Sequence, residues 1–171
     1  MKTIENSVTL RPVKMSDKAD FTRLANNIKI WNNVRDEFPH PYTEKDAESF
    51  INLCKTAKNA AKFAIDWNNQ FVGMMGLVFF KELNYRKNAE LGYWIGEPFW
   101  GKGIGTVALS EITKYAFEQR NLKRVFANVL EYNKASMRML EKAGFEFEGI
   151  NKAASLKNNQ FFDEYRFAKV K

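Results

Sequence analysis

Polar and apolar positions alternate through SVTLRPVK (7–14), the two-residue period of a half-buried strand. The period then lengthens. Phe21, Leu24 and Ile28 recur at helical spacing behind Ser16, which predicts a helix capped by that serine and running to about Asn27. A loop bounded by prolines follows, VRDEFPHPY (34–42). Thr43, with Asp46 three residues on, is a reciprocal capping pair and opens a second helix through Phe50, Ile51 and Cys54. KFAIDW and FVGMMGLVFF flank Asn68-Asn69 and read as a hairpin, because asparagine tolerates the left-handed backbone that a two-residue turn demands. AELGYWI (89–95) reads as a further strand.

The second half repeats the strand-helix alternation. Ile104, Val107, Ala108, Ile112 and Ala116 form the apolar face of a helix reaching about Arg120. RVFANVL is a strand. Asn133 caps a short helix whose Met137, Leu140 and Ala143 face inward, and Gly144 ends it. FEFEGI and FFDEYRFAKV close the chain as a hairpin about KNNQ. The pattern predicts one domain over residues 1–171 in the α/β class, with a mixed sheet and no linker, repeat or low-complexity segment.

Composition changes little in this picture. The chain is 45% hydrophobic and 27% charged with only four prolines, so nothing in it reads as disordered. No apolar run is long enough to span a bilayer and MKTIENSVTL lacks a signal-type apolar core, which points to a cytoplasmic protein without membrane partners. The single cysteine, Cys54, excludes an internal disulfide and, with one histidine, an ordinary zinc site, so no metal is expected. The charge of +7 suits an anionic ligand as well as nucleic acid, but the basic residues are dispersed rather than gathered in an arm. No nucleic-acid partner is expected.

FWGKGIGTVAL (99–109) carries the candidate chemistry. Three glycines in five positions open the helix at 104, where free backbone amides and close approach suit a phosphate. Gly96, Gly101 and Lys102 begin a P-loop pattern, but Gly103 stands where that motif needs Ser or Thr for magnesium. A dinucleotide fingerprint fails at Thr106, which would have to be glycine. What remains is an anion-binding turn without a carboxylate between Glu97 and Glu111, or a tight turn that binds nothing.

NVLEYNKASMRMLEKAGFEFEG (128–149) favours the first reading. This run resembles the C-terminal half of the GCN5-related N-acetyltransferase (GNAT) superfamily, and the glycine loop is similar to that superfamily's acetyl-CoA pyrophosphate loop. AELGYWIGEPFWGKGIGTVAL and PHPYTEKDAESFI further resemble the ribosomal-protein alanine/serine acetyltransferases of RimJ/RimL type. The resemblance implies a splayed, mostly antiparallel sheet of about seven strands with about four helices. It implies acetyl-CoA as cosubstrate, bound through Gly101, Lys102, Gly103, Ile104, Gly105, Thr106, Asn133 and Ser136, and a backbone amide at Trp94 or Ile95 facing the thioester carbonyl. Trp100 stands where the superfamily usually has Gln or Arg, and Leu140 where many members have a proton-donating tyrosine. Asn128 holds a position that some relatives give to a catalytic glutamate.

Ser136 is the nearest polar substitute for that tyrosine, or an ordinary first-turn serine. Glu90 could serve as base through water, or be a paired surface residue. On the acceptor side Asp36 and Glu37 could attract an ammonium group, His40 could take a proton near neutral pH or be a structural residue between its two prolines, and Tyr42 and Trp31 either wall the pocket or pack in the core. The expected activity is acetyl transfer to a primary amine, on a protein N-terminus or a small molecule. A homodimer is compatible with this composition. A catalytically silent acetyl-CoA sensor and a nucleic-acid module are the competing classes.

Overall fold

Backbone hydrogen bonds join seven strands into one sheet in a computed structural model that describes residues 7–171. The strands are β1 (Val8–Arg11), β2 (Ala60–Trp67), β3 (Gln70–Phe79), β4 (Asn88–Ile95), β5 (Arg124–Leu130), β6 (Glu146–Lys157) and β7 (Gln160–Val170), in the order β1-β2-β3-β4-β5-β7-β6. Every neighbouring pair is antiparallel except β4 and β5. Five helices accompany them, one more than expected: α1 (Lys18–Ala25), α2 (Ile28–Trp31), α3 (Glu44–Thr56), α4 (Ile104–Lys114) and α5 (Lys134–Lys142). The α/β class and the mixed, mostly antiparallel sheet follow the reading from sequence. Residues 1–6, on which the absence of a signal segment was argued, lie outside the described residues. No helix among the described residues is long and apolar enough to cross a membrane.

Local chemistry accounts for most boundaries. The β2–β3 and β6–β7 turns each place two consecutive asparagines in the left-handed region, Asn68 and Asn69 in one and Asn158 and Asn159 in the other. That backbone twists with the strands it joins. The capping box at α3 is complete, since Thr43 accepts from Asp46 N–H while the Asp46 carboxylate accepts from Thr43 N–H. Cys54 is half-buried in that helix, and burial pushes its thiol above the usual range.

Three local expectations need correction. Ser16 caps nothing: it lies inside a short turn, and Asp17 instead accepts from Lys14 N–H at 2.7 Å. The helix that follows stops at Ala25, and Asn27 caps the separate turn of α2, leaving Ile28 exposed rather than on the buried face. In α4 the buried positions are Ile104, Gly105, Ala108, Leu109, Ile112 and Thr113, whereas Val107 is 45% exposed because it starts the outer side of the helix. The last turn before Arg120 widens to π geometry over Tyr115–Gln119.

Phe21 organises the core on one face of the sheet. Its ring stacks on Tyr42 and Phe71 and meets Trp94 edge-on at 5.2 Å between centroids, tying α1, the proline loop, β3 and β4 together. Arg11 closes the end of β1 by bridging two buried carboxylates, with hydrogen bonds of 2.7–2.9 Å to Asp17 and Asp66. Burial opposes the charged form of Asp17, but the hydrogen bonds from Arg11 and Lys14 N–H outweigh it and hold the carboxyl below its usual range.

The sign of this linkage is testable. A carboxyl with a depressed folded-state pKa contributes stability above its unfolded value near 4 and loses it as pH falls towards the folded value. Asp17→Asn is therefore expected to unfold more readily at neutral pH and to show a shallower loss of stability below about pH 4. Urea melts across that range would contradict the account if both proteins lost stability in parallel.

Candidate active site

β4 and β5 pair over three residues only, Asn88, Ala89 and Glu90 with Arg124, Val125 and Phe126. Beyond that point β4 stays with β3 as far as Ile95, and β5 stays with β7 as far as Leu130, so the sheet parts. Gly96 N–H donates to Val72 O, which fixes the phase of the antiparallel ladder. By alternation Trp94 and Gly92 direct their amides to β3, and Tyr93 and Ile95 direct theirs into the gap. Ile95 O faces the same way and accepts from the Trp100 indole at 2.7 Å. Of the two residues expected to face a thioester, Ile95 has the free amide, while the Trp94 side chain is buried in the core.

Strand alternation also sorts side chains between the two faces. Trp94 lies on the face of α1, as does Gly96 beside Leu24. Glu90 shares their parity. Ile95 and Tyr93 lie on the face of α4 and α5, where they meet Gly105 and Ser136 respectively.

On the α4 face the glycine loop presents its backbone. Gly101 and Gly103 have φ of +74° and +78°, a conformation that other residues adopt only with strain, and a Cβ at either would point into open space. Val107 N–H is the first in α4 to find a helical acceptor, at Gly103 O, so the amides of Ile104, Gly105 and Thr106 precede the ladder. Gly105 also makes room for a neighbouring helix, because a Cβ there would collide with Met139 Sδ, and its absence lets α5 pack against α4. Ile104 is buried, and Lys102 leans over the Trp67 and Phe99 rings at 5.1 and 5.7 Å. Asn27 and Lys29 hold the Glu97 carboxylate, which keeps that charge engaged away from the loop.

At the start of α5, Asn133 Oδ1 accepts from Ser136 N–H at 3.2 Å, as the capping pattern requires. The Ser136 hydroxyl meets the Tyr93 hydroxyl at 2.6 Å. Leu140 is wholly buried and turned to the core. Sequence reasoning did not single out Tyr93. Its parity with Ile95 along β4 was the one available signal.

The α1 face is polar at the fork. Glu90 is paired with Arg35 from the proline loop and accepts from Asn128 Nδ2 at 3.3 Å, and Asn128 Oδ1 in turn accepts from Arg166 Nε at 3.0 Å. Asp36 is not a free carboxylate awaiting an ammonium group. Buried Lys157 lies 2.9 Å from it and 3.6 Å from the centre of the Trp31 ring. Glu37 and His40 are exposed, and Tyr42 belongs to the core, where burial drives its phenol well above the usual range. The Trp31 indole donates to Phe38 O, which braces the proline loop against α2, and the Tyr132 hydroxyl donates to Asn32 O, which links the segment before the loop to the turn after β5.

This parted sheet, with a glycine turn opening a helix beside it, defines a class. The family model "Acetyltransferase (GNAT) domain" matches residues 7–146, and the chain belongs to that family of acetyltransferases. An uncharacterized N-acetyltransferase, YnaD, from Bacillus subtilis is 32% identical over 127 residues, 74% of each chain. Among solved structures, Mycobacterium smegmatis RimJ in complex with CoA-disulfide superposes with a TM-score of 0.87 at 24% identity, covering 95% of this chain and 81% of that one. Spermidine N-acetyltransferase from Vibrio cholerae, in complex with CoA and spermine, does so with a TM-score of 0.80 at 22% identity over 95% of both chains. At these identities the two structures establish the shared fold.

The cap at α5 yields a stability test. Asn133→Ala removes the acceptor for Ser136 N–H and is expected to cost about 0.5–2 kcal/mol. Equal urea midpoints for the variant and the wild type would show that the cap contributes nothing.

Proposed function

We propose that the protein transfers an acetyl group from acetyl-CoA to a primary amine, of a protein N-terminus or a small molecule, by direct attack of the neutral amine on the thioester. The observation that carries this reading is the gap between β4 and β5. It leaves backbone donors without partners at Tyr93 and Ile95, beside a helix start whose own amides are free. The residues present fit such a cosubstrate. The amides from Gly101 to Thr106 would offer hydrogen-bond donors with partial positive charge to a pyrophosphate, with Asn133 and Ser136 flanking the arm that would reach the gap.

The chemistry then divides between the faces. Ile95 N–H is placed to donate to the carbonyl oxygen as negative charge develops there, a preorganised role of the oxyanion-hole type. Ser136, on the α5 face, is placed to donate to the departing sulfur. Glu90, on the opposite face, is the carboxylate available to take the proton of an incoming ammonium group once Arg35 moves aside. Asp36 shapes the acceptor loop through Lys157, while Glu37 and His40 stand at its exposed edge. A protein N-terminus and the polyamine named for one structural relative are both compatible with an amine entering from the α1 face.

Calorimetry with acetyl-CoA, followed by turnover on peptides, polyamines and aminoglycosides, tests the proposal. Binding and turnover on at least one amine are expected. Gly103→Val imposes about 1–2 kcal/mol of left-handed backbone strain, so its acetyl-CoA affinity should fall about tenfold. Unchanged affinity in that variant would remove the loop from the site, and binding without turnover on any amine would favour a silent sensor.

A further inference from the structure

We propose that Tyr93 is a positioning residue for the transfer step: its hydroxyl donates to Ser136 Oγ and thereby turns the serine's own proton into the gap, towards the departing sulfur. The inference rests on the reading of Ser136 given above and adds a residue that the sequence did not suggest.

The 2.6 Å contact between the two hydroxyls leaves the direction of donation open, but their surroundings do not. Were Ser136 the donor, the Tyr93 proton would need another acceptor, and none meets it among the described residues. The Tyr93 residue is only partly buried, but its hydroxyl is desolvated, and a hydroxyl proton left there without an acceptor costs about 1–3 kcal/mol. With Tyr93 as donor, its proton is satisfied by Ser136. The serine, half-exposed in the first turn of α5, keeps its proton for the gap. Two further contacts hold this geometry. Asn133 fixes the first turn of α5 through Ser136 N–H, and β4 fixes the tyrosine two residues before Ile95, on the same face. Burial pushes the Tyr93 phenol up to about 12, against a smaller lowering by Ser136, so the group remains a protonated donor at neutral pH.

The step balances without a proton leaving either hydroxyl. The amine nitrogen forms a bond to the acetyl carbon, the carbon–sulfur bond breaks, and its electron pair stays on sulfur. Glu90, having passed the ammonium's first proton on to solvent, takes the second from the nitrogen as the amide forms. Ser136 stabilises the thiolate with one hydrogen bond, strengthened because its oxygen is itself accepting from Tyr93. Leu140 leaves no other side-chain hydroxyl on that face of α5 to donate in its place.

The test compares Tyr93→Phe, Ser136→Ala and the double variant for kcat, KM for acetyl-CoA and melting temperature. Tyr93→Phe should lower kcat about threefold to tenfold, the worth of one neutral hydrogen bond, with KM and melting temperature little changed. The effect should vanish in the Ser136→Ala background, because the tyrosine acts only through the serine. A Tyr93→Phe enzyme with full kcat, or one whose loss persists without Ser136, overturns the proposal. If Ser136→Ala itself turns over normally, the serine's role falls and this inference falls with it. A slow Ser136→Ala beside a fast Tyr93→Phe sinks only the tyrosine. Should Tyr93→Phe not fold, 3-fluorotyrosine at position 93 retains the ring and is a stronger donor. It should raise kcat, and an unchanged or lower kcat would count against the proposal.

Discussion

A backbone amide in a strand needs an acceptor on the edge it faces, and beyond Leu91, the last to reach the seam with β5, the outer edge of β4 meets none among the described residues. This constraint organises the molecule. On one side of the fork β4 is the last strand of an antiparallel set running back to β1, and on the other β5 is the first strand of a set completed by β7 and β6. Each set satisfies its own strands, and a parallel seam of three residues joins them. Groups that would be a defect in a closed sheet are held in fixed positions, and in the proposed reaction they would serve as donors that need no reorganisation as charge develops. The Trp100 indole reinforces this by occupying Ile95 O, which leaves the adjacent amide as the unpartnered group.

The pleat of β4 then separates two kinds of chemistry. Successive side chains point to opposite faces, so Glu90 stands with Asn128, Arg166 and Arg35 on one side while Tyr93 meets Ser136 on the other. The thickness of the sheet keeps the Glu90 carboxylate and the Ser136 hydroxyl apart, and in the proposed reaction a bond threaded through the gap would be approached by one from each face. Glycine serves this arrangement in two distinct ways. Gly101 and Gly103 supply left-handed backbone, and Gly105 supplies the empty space that seats α5 against α4.

Features encoded within a few residues were legible in the sequence. The paired asparagines of two hairpins, the Thr43–Asp46 box, the Asn133 cap and the glycine turn all act through near neighbours, and each lies where the pattern placed it. What escaped was decided by contacts between distant segments. Ser16 was displaced as a cap because Asp17, drawn to Arg11 at the end of β1, also accepts from Lys14 N–H. Asp36 looked available until the far hairpin supplied Lys157, and Glu90 until the proline loop supplied Arg35. Tyr93 was hidden for the same reason, since its partner is brought to it by the packing of α5 rather than by spacing along the chain. The family resemblance located the gap, but the phase of the ladder, set by Gly96 and Val72, was needed to choose Ile95 over Trp94.

Amide hydrogen exchange with and without acetyl-CoA bears most directly on the gap as the binding feature. Tyr93 and Ile95 should exchange quickly in the free protein, beside slowly exchanging Gly92 and Trp94. Saturation with acetyl-CoA should slow Ile95 and the amides from Gly103 to Thr106, leaving Gly92 and Trp94 as they were. Protection of Ile95 before the ligand is added, or exchange at Ile95 and the glycine turn that saturation does not alter, would contradict the account.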